Sequence, residues 1–306
     1  MIREIGNRYP RLLFCNDGDE PFYFKEDVVI PEVVPKRPEI PEDRDMTFEE
    51  HRDIFLSCAG SSVRIPAKSR VSDRCVATWR LAELLGIDDM IVPAERAEVT
   101  FEGKNLTGIK MPPARGAAFS DMKRLESLSG YRFSYTVPAV RQLTILVMFD
   151  FLCGQIDRHV KNIKLLTDVD LSEVKPATEG NEVINITGII AIDNDLSFGQ
   201  NGYEDIKKRV SAGKCIAPEF MGEMQYTAVD MKFFERVAAV SEDEYKGVLG
   251  DLLAESEIAA FFDRLEGLKS AVLRQQKKEQ DMAARGEEFF SRFITTDEEY
   301  KKYLHL

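Results

Sequence analysis

The sequence predicts an α+β fold, with a small unit of strands and one helix ahead of a larger, mainly helical unit. Three observations carry this reading. Up to residue 116, runs rich in β-branched and aromatic residues alternate with turn residues around a single amphipathic helix. Two short apolar runs, 162–167 and 186–192, follow a long apolar helix at 138–153 and carry Asp and Asn at their mouths. From about residue 227 the periodicity is helical almost to the end.

Residues 11–26 read as a hairpin about Asn16-Asp17-Gly18. The segment 29–42 places Pro31, Pro35, Pro38 and Pro41 at near-regular spacing, which blocks helix and central strand alike. The valines and isoleucines between them are too apolar for a free linker, so an extended arm packed on the surface is expected. A strand is expected at 61–66. Ser72 or Asp73 then caps a helix over 72–85, with Ala77, Leu81, Leu84 and Leu85 on one stripe and Gly86 as the stop. Two strands about a turn fill 98–111, and Pro112-Pro113 breaks the chain. Thr136 caps and Pro138 opens the helix at 138–153. Helices follow at 228–239, 242–253 and 258–276. The expected divisions are a hairpin and arm (1–58), a small unit (59–116) and a large unit (117–306).

With 306 residues, 44% of them hydrophobic, the chain can build a sizeable core. Its net charge of −12 disfavours nucleic acid as a partner and non-specific docking on anionic lipid. The five cysteines are scattered without a C-x-x-C pair, and only three histidines are present. That usage reads as reduced thiols and gives no zinc site. The N-terminus lacks an apolar signal core, and the longest apolar run, near 143–153, is too short to span a membrane and contains Asp150. A cytoplasmic protein, or one exported on another kind of signal, is expected, without stable membrane insertion.

The chemistry concentrates in Asp157-Arg158-His159-Val160-Lys161-Asn162 and in Ile192-Asp193-Asn194-Asp195-Leu196-Ser197-Phe198-Gly199. Asp and Asn are poor strand formers, so their place at the ends of buried strands suggests a polar site on a rigid floor. Phosphoryl transfer needs a carboxylate beside the attacking hydroxyl and oxygen ligands that hold magnesium against the phosphates. Asp157 and Asn162 stand five positions apart, and Asp193 ends the next strand.

This wording resembles the phosphatidylinositol 3-/4-kinase superfamily and its atypical protein-kinase relatives, among them actin-fragmin-type, HipA-like and secretory-pathway casein-type kinases. The resemblance covers roughly residues 140–199. It implies a bilobal protein-kinase-like fold, with a small mixed β/α N-lobe and a mainly helical C-lobe, using ATP with Mg or Mn. It further implies that Asp157 is the base and that Asn162 and Asp193 are metal ligands. His159 either assists proton transfer or buttresses the loop; Lys161 either reaches the transferred phosphoryl group or faces water. Asp195 stands where Asp-Phe-Gly kinases have Gly, and either binds a second metal or closes the turn. Met111 marks the hinge against which the nucleotide lies.

The first lobe matches less well. A kinase needs a lysine on the nucleotide phosphates, steadied by a helix carboxylate. Lys68 is the first choice, Lys25 the second, and Lys110 lies too close to the hinge. Asp73 and Glu83 are the only acidic residues of the 72–85 helix, neither at its centre. No Gly-rich phosphate loop is evident beyond the short Ala59-Gly60-Ser61-Ser62. The acidic surface favours a protein Ser/Thr acceptor over a lipid, against the basic group Lys207, Lys208, Arg209 and Lys214. A pseudokinase or nucleotide-binding interaction module, a phosphoinositide kinase and an AMP-transferase are the alternatives.

Overall fold

The structure, a computed structural model, describes all residues except 7–8, 17–19, 41–44, 130, 172–173, 175–181, 212–227 and 304–306. The fold class is α+β, as expected. Strands β1 (Ile2–Glu4), β2 (Leu12–Cys15), β3 (Phe22–Glu26), β4 (Glu95–Phe101) and β5 (Lys104–Met111) form one antiparallel sheet in the order β1-β2-β3-β5-β4. Residues 1–26 therefore share a sheet with 95–111, and the expected division at residue 58 does not separate them. A lone hairpin is marginal in water. The β2–β3 pair gains a partner where Tyr23 meets Met111 and Lys25 meets Ile109. The β4–β5 loop is Glu102-Gly103, both with positive φ, as a two-residue hairpin turn requires. Part of the 11–26 turn, Asp17 and Gly18, lies outside the described residues.

The proline-rich arm is packed only in part: Ile30 is buried and Val34 lies against the core, but Val29 and Val33 are exposed. Val28 and Ile30 are buried, and their carbonyls accept hydrogen bonds from the Val71 and Lys68 amides. The expected strand at 61–66 is absent. Helix α1 (Phe48–Ser57), opened by a Thr47–Glu50 capping box, instead runs on as a π-helix over Cys58–Val63. The Asn201 amide and the Arg209 guanidinium donate to the Ser62 carbonyl at its end, which satisfies a group a strand ladder would otherwise take. Ala59–Gly60–Ser61–Ser62 is thus helical backbone and not a phosphate loop.

Helix α2 (Ser72–Leu84) stops at Gly86, in the left-handed region, but neither Ser72 nor Asp73 caps it. The Ser72 hydroxyl donates to Asp27 at 2.7 Å, and Asp73 accepts from Arg96 of β4 at 2.6 Å. Long-range partners have taken both side chains from the local cap.

The second sheet joins β6 (Ala117–Ala118), β7 (Arg132–Tyr135), β8 (Ile163–Thr167) and β9 (Val183–Ala191) in the order β6-β8-β9-β7; only β7–β9 is parallel. Helix α3 (Phe119–Ser129) lies between β6 and β7 in the chain. Helix α4 (Val137–Cys153) packs on β9 and is apolar on nearly every face, which is why it is buried. Pro138 sits in its first turn and Gly154 ends it with φ 62°. Thr136 occupies the cap position in extended conformation, but its hydroxyl donates to the Ile186 carbonyl instead of capping.

After α5 (Tyr203–Ser211) and the short β10 (Val229–Asp230) come α6 (Met231–Ala239), α7 (Glu242–Leu249) and the long α8 (Glu255–Ala284). Strand β11 (Phe293–Ile294), parallel to β10, and α9 (Asp297–Tyr303) close the chain. One core runs from the arm and α2 through α4, β8 and β9 to α8. Among the described residues, no helix is long and apolar enough to cross a membrane.

Candidate functional site

Helix α4 and strands β8 and β9 set the floor of the site. Gly154 turns the chain out of α4, and Asp157 to Asn162 cross to the start of β8. Within this loop the Asn162 side-chain amide donates to the Asp157 carbonyl at 2.9 Å, and the Asn162 backbone amide donates to the His159 carbonyl. The His159 imidazole accepts from the Lys161 amide at 3.2 Å and so caps a single 3₁₀ turn, Val160–Asn162.

Arg158 holds the loop. Its side chain is fully buried and makes two bonds to the Asp150 carboxylate of α4, at 2.9 and 3.0 Å. It also donates to the Asn162 and Ile192 carbonyls and, at 2.6 Å, to the Asn194 side chain. One guanidinium thereby joins α4, the Asp157 loop and the loop after β9. Such planar, bidentate pairing is what arginine offers and lysine does not. Burial pushes the Asp150 carboxyl above its ordinary range, and Arg158 opposes that rise.

The loop after β9 bends sharply: Asp193, Phe198 and Gly199 all have positive φ. At Gly199 a side chain would strike the Val63 carbonyl of the π-helix, so the close approach needs glycine there. Phe198 is fully buried and packs this loop into the core.

The lysine comes from the first sheet. Lys25, on β3, places its ammonium 2.6 Å from Asp193 Oδ1 and 2.6 Å from Asp195 Oδ2. These partners lie 168 and 170 positions away. Burial would lower the lysine's proton affinity, but the two carboxylates override it and raise Lys25 above its ordinary value. Lys25 in turn holds Asp193 below the ordinary carboxylate range. Asp195, more deeply set, is pushed up to about 6 by burial, with Lys25 opposing.

Lys68, the expected first choice, is not in this group. It sits in a left-handed turn after the arm, and its exposed ammonium pairs with Glu32 at 2.7 Å. The cause is the displaced strand: with 58–63 helical, Lys68 ends no strand over the site. Lys110 lies one position from Ile109, the partner of Lys25, on the opposite face of β5, where it meets Glu95. Lys161 is exposed, and Met111 ends β5, half-buried against the main core.

Asp157 and His159 approach to 3.9 Å and are each about half exposed. Burial raises the Asp157 carboxyl, while His159 lowers it and Asp193 raises it further. The structure thus brings together Asp157, His159, Asn162, Asp193 and Asp195, adds Lys25 and leaves out Lys68. Of the basic group, Lys207 pairs with Glu204 and Arg209 binds Ser62, while Lys214 lies outside the described residues.

Among the described residues, no group of three or more His, Cys, Asp or Glu side chains is placed to hold a metal alone. The donors at hand are the Asn162 amide and the Asp193 and Asp195 carboxylates, all hard oxygen. That set suits Mg or Mn completed by phosphate and water oxygens. The Lys25 ammonium sits on one oxygen of each aspartate. No protein-family model matches the chain, and a search of curated proteins returns no match.

Proposed function

We propose that this chain is an ATP- and Mg- or Mn-dependent phosphotransferase of the atypical, phosphatidylinositol 3-/4-kinase-like class, with a bilobal kinase-like arrangement of its two sheets. The observation that carries the reading is Lys25 reaching Asp193 across 168 positions, beside a loop that presents Asp157 and Asn162. Asp157 orients the acceptor hydroxyl and takes its proton; Lys25 and Asn162 lie toward the triphosphate. Asn162 and Asp193 would hold the metal, which when bound draws charge from the phosphate oxygens. The net charge of −12 favours a protein Ser/Thr acceptor over an anionic lipid.

Incubation with ATP labelled separately at the γ and α positions, over protein and lipid extracts, tests this. Label from the γ position should enter protein, and Asp157→Ala should lower transfer about 10²–10⁴-fold while keeping ATP binding. Label from the α position alone would make it an AMP-transferase. ATP binding without any transfer would favour the second reading, a nucleotide-binding interaction module. That reading is supported by α2, whose only carboxylates are an Asp73 committed to Arg96 and an exposed Glu83.

A further inference from the structure

A lysine that must meet phosphate needs a fixed carboxylate on its other side, since an unheld ammonium samples many rotamers and its charge is solvated. Helix α2 faces Lys25 but brings no acid to it. A small cavity beside Lys25 is lined by Val71, Ser72, Cys75, Ile109 and Asp195. The helix thus contributes a hydroxyl and a thiol. Its one carboxylate near this end, Asp73, is bound to Arg96, and Glu83 is exposed. The acids in the cavity wall are Asp195 and Glu26; Glu26, next to Lys25 on β3, pairs with Arg11, and Asp195 is the one that meets the Lys25 ammonium.

The two aspartates on Lys25 are not equivalent. Both lie 2.6 Å from the ammonium, but the Asp195 side chain is 5% exposed and that of Asp193 42% exposed. Asp195 follows Asn194, which Arg158 grips, and the Asn194 carbonyl accepts from the buried Ser197 hydroxyl, which also meets Thr78 of α2. Asn194 lies between the two aspartates, so its bonds steady the backbone of both; what separates them is that the Asp195 side chain is buried in the cavity that α2 lines, whereas that of Asp193 opens toward solvent.

We propose that Asp195 is the positioning carboxylate of Lys25, standing in for the acid that α2 lacks and leaving Asp193 to the metal. This rests on the phosphotransferase reading for its purpose, though not for the pairing itself. A carboxylate on the solvent-facing side of the site, such as Asp193, is open to be shared between lysine and metal. One buried against α2 keeps the lysine aimed whether or not metal is present.

The test measures ATP affinity of the full chain as Mn²⁺ is varied. Asp195→Asn should lose at least tenfold in ATP affinity and keep its Mn²⁺ dependence; Asp193→Asn should lose the Mn²⁺ dependence. Moving the acid to the helix, as Cys75→Asp in the Asp195→Asn background, should restore affinity to within a few-fold of wild type. If Asp195→Asn loses the Mn²⁺ dependence as Asp193→Asn does, or binds ATP normally, the proposal is overturned. A destabilised Asp195→Asn is read through the Cys75→Asp pair. Recovery of both Tm and affinity supports the proposal, and recovery of Tm alone overturns it.

A wild-type chain that binds no ATP would sink the phosphotransferase reading instead. The pairing is then decided without nucleotide, by an unfolding cycle of Lys25→Met and Asp195→Asn. Non-additive Tm shifts support it, and additive shifts overturn it.

Discussion

The two halves of the site are built in opposite ways. On the floor, Arg158 and Asp150 form a buried pair, and the same guanidinium reaches two carbonyls and Asn194 besides. From the first sheet the charged contact is made by Lys25, held by two carboxylates. The floor is over-determined, so losing one bond leaves Asp157 and Asn162 nearly in place. The lysine is a single tie between distant segments, so its loss uncouples the halves without unmaking either. On the proposed phosphotransferase reading, positions that must stay fixed sit on the first kind of structure, and the side chain that would meet an arriving charge sits on the second.

The contrast is broken most severely at Arg158. Arg158→Met removes five hydrogen bonds and strands the Asp150 carboxylate, which is 1% exposed in its side chain. A buried ion pair that loses one partner costs about 3–5 kcal/mol, because the remaining charge stays desolvated. The urea midpoint should fall accordingly with the slope unchanged. Replacing both partners, Asp150→Leu with Arg158→Met, should recover part of that loss. A midpoint near wild type for Arg158→Met would show that the floor does not depend on this hub.

The lysine side sharpens the contrast. Lys25→Met should weaken ATP binding at least tenfold, about 1.4 kcal/mol, with a smaller stability loss than Arg158→Met. Lys68→Met should stay within twofold, since its exposed pair with Glu32 contributes little. Isothermal titration of both variants with ATP and Mg²⁺ decides it. Loss in Lys68→Met with Lys25→Met unchanged would reverse the assignment.

How much of this the sequence discloses follows the same division. The floor is legible because its parts are local. Asp157 and Asn162 are five positions apart, the strand that follows them is a short apolar run, and Gly154 marks where α4 ends. The lysine is legible only as the second of two candidates, because its partners lie 168 positions away and pattern reasoning ranks candidates by neighbourhood. Lys68 looked well placed only while 61–66 was read as a strand. The Thr47–Glu50 capping box was the signal for the preceding helix, and its continuation as a π-helix rests on Asn201 and Arg209, which no local pattern contains. Ser72 and Asp73 mislead for a like reason: both have the chemistry of a cap, and Asp27 and Arg96 use it elsewhere. Asp195 is visible in the sequence as an acid at the place where Asp-Phe-Gly kinases have Gly, but what it faces depends on which lysine arrives.

The smallest effect is expected at His159, and it separates two roles for that residue. His159 Nε2 lies 3.9 Å from Asp157 Oδ2, with both side chains about half exposed. Burial raises the Asp157 carboxyl and the nearby His159 lowers it. If Asp157 accepts the hydroxyl proton, it must be ionised, so the rate falls as pH falls through its pKa. Histidine is cationic in acid and favours the carboxylate form. His159→Gln removes that charge, so the acid limb of kcat/KM should move to higher pH. At this separation and exposure the shift is small, since water screens the pair. The plateau rate at higher pH, where Asp157 is ionised in both proteins, should change little. A large fall at every pH would mean that His159 itself handles the proton or the phosphoryl charge. A limb that does not move would detach it from Asp157 and leave it as the cap of the Val160–Asn162 turn.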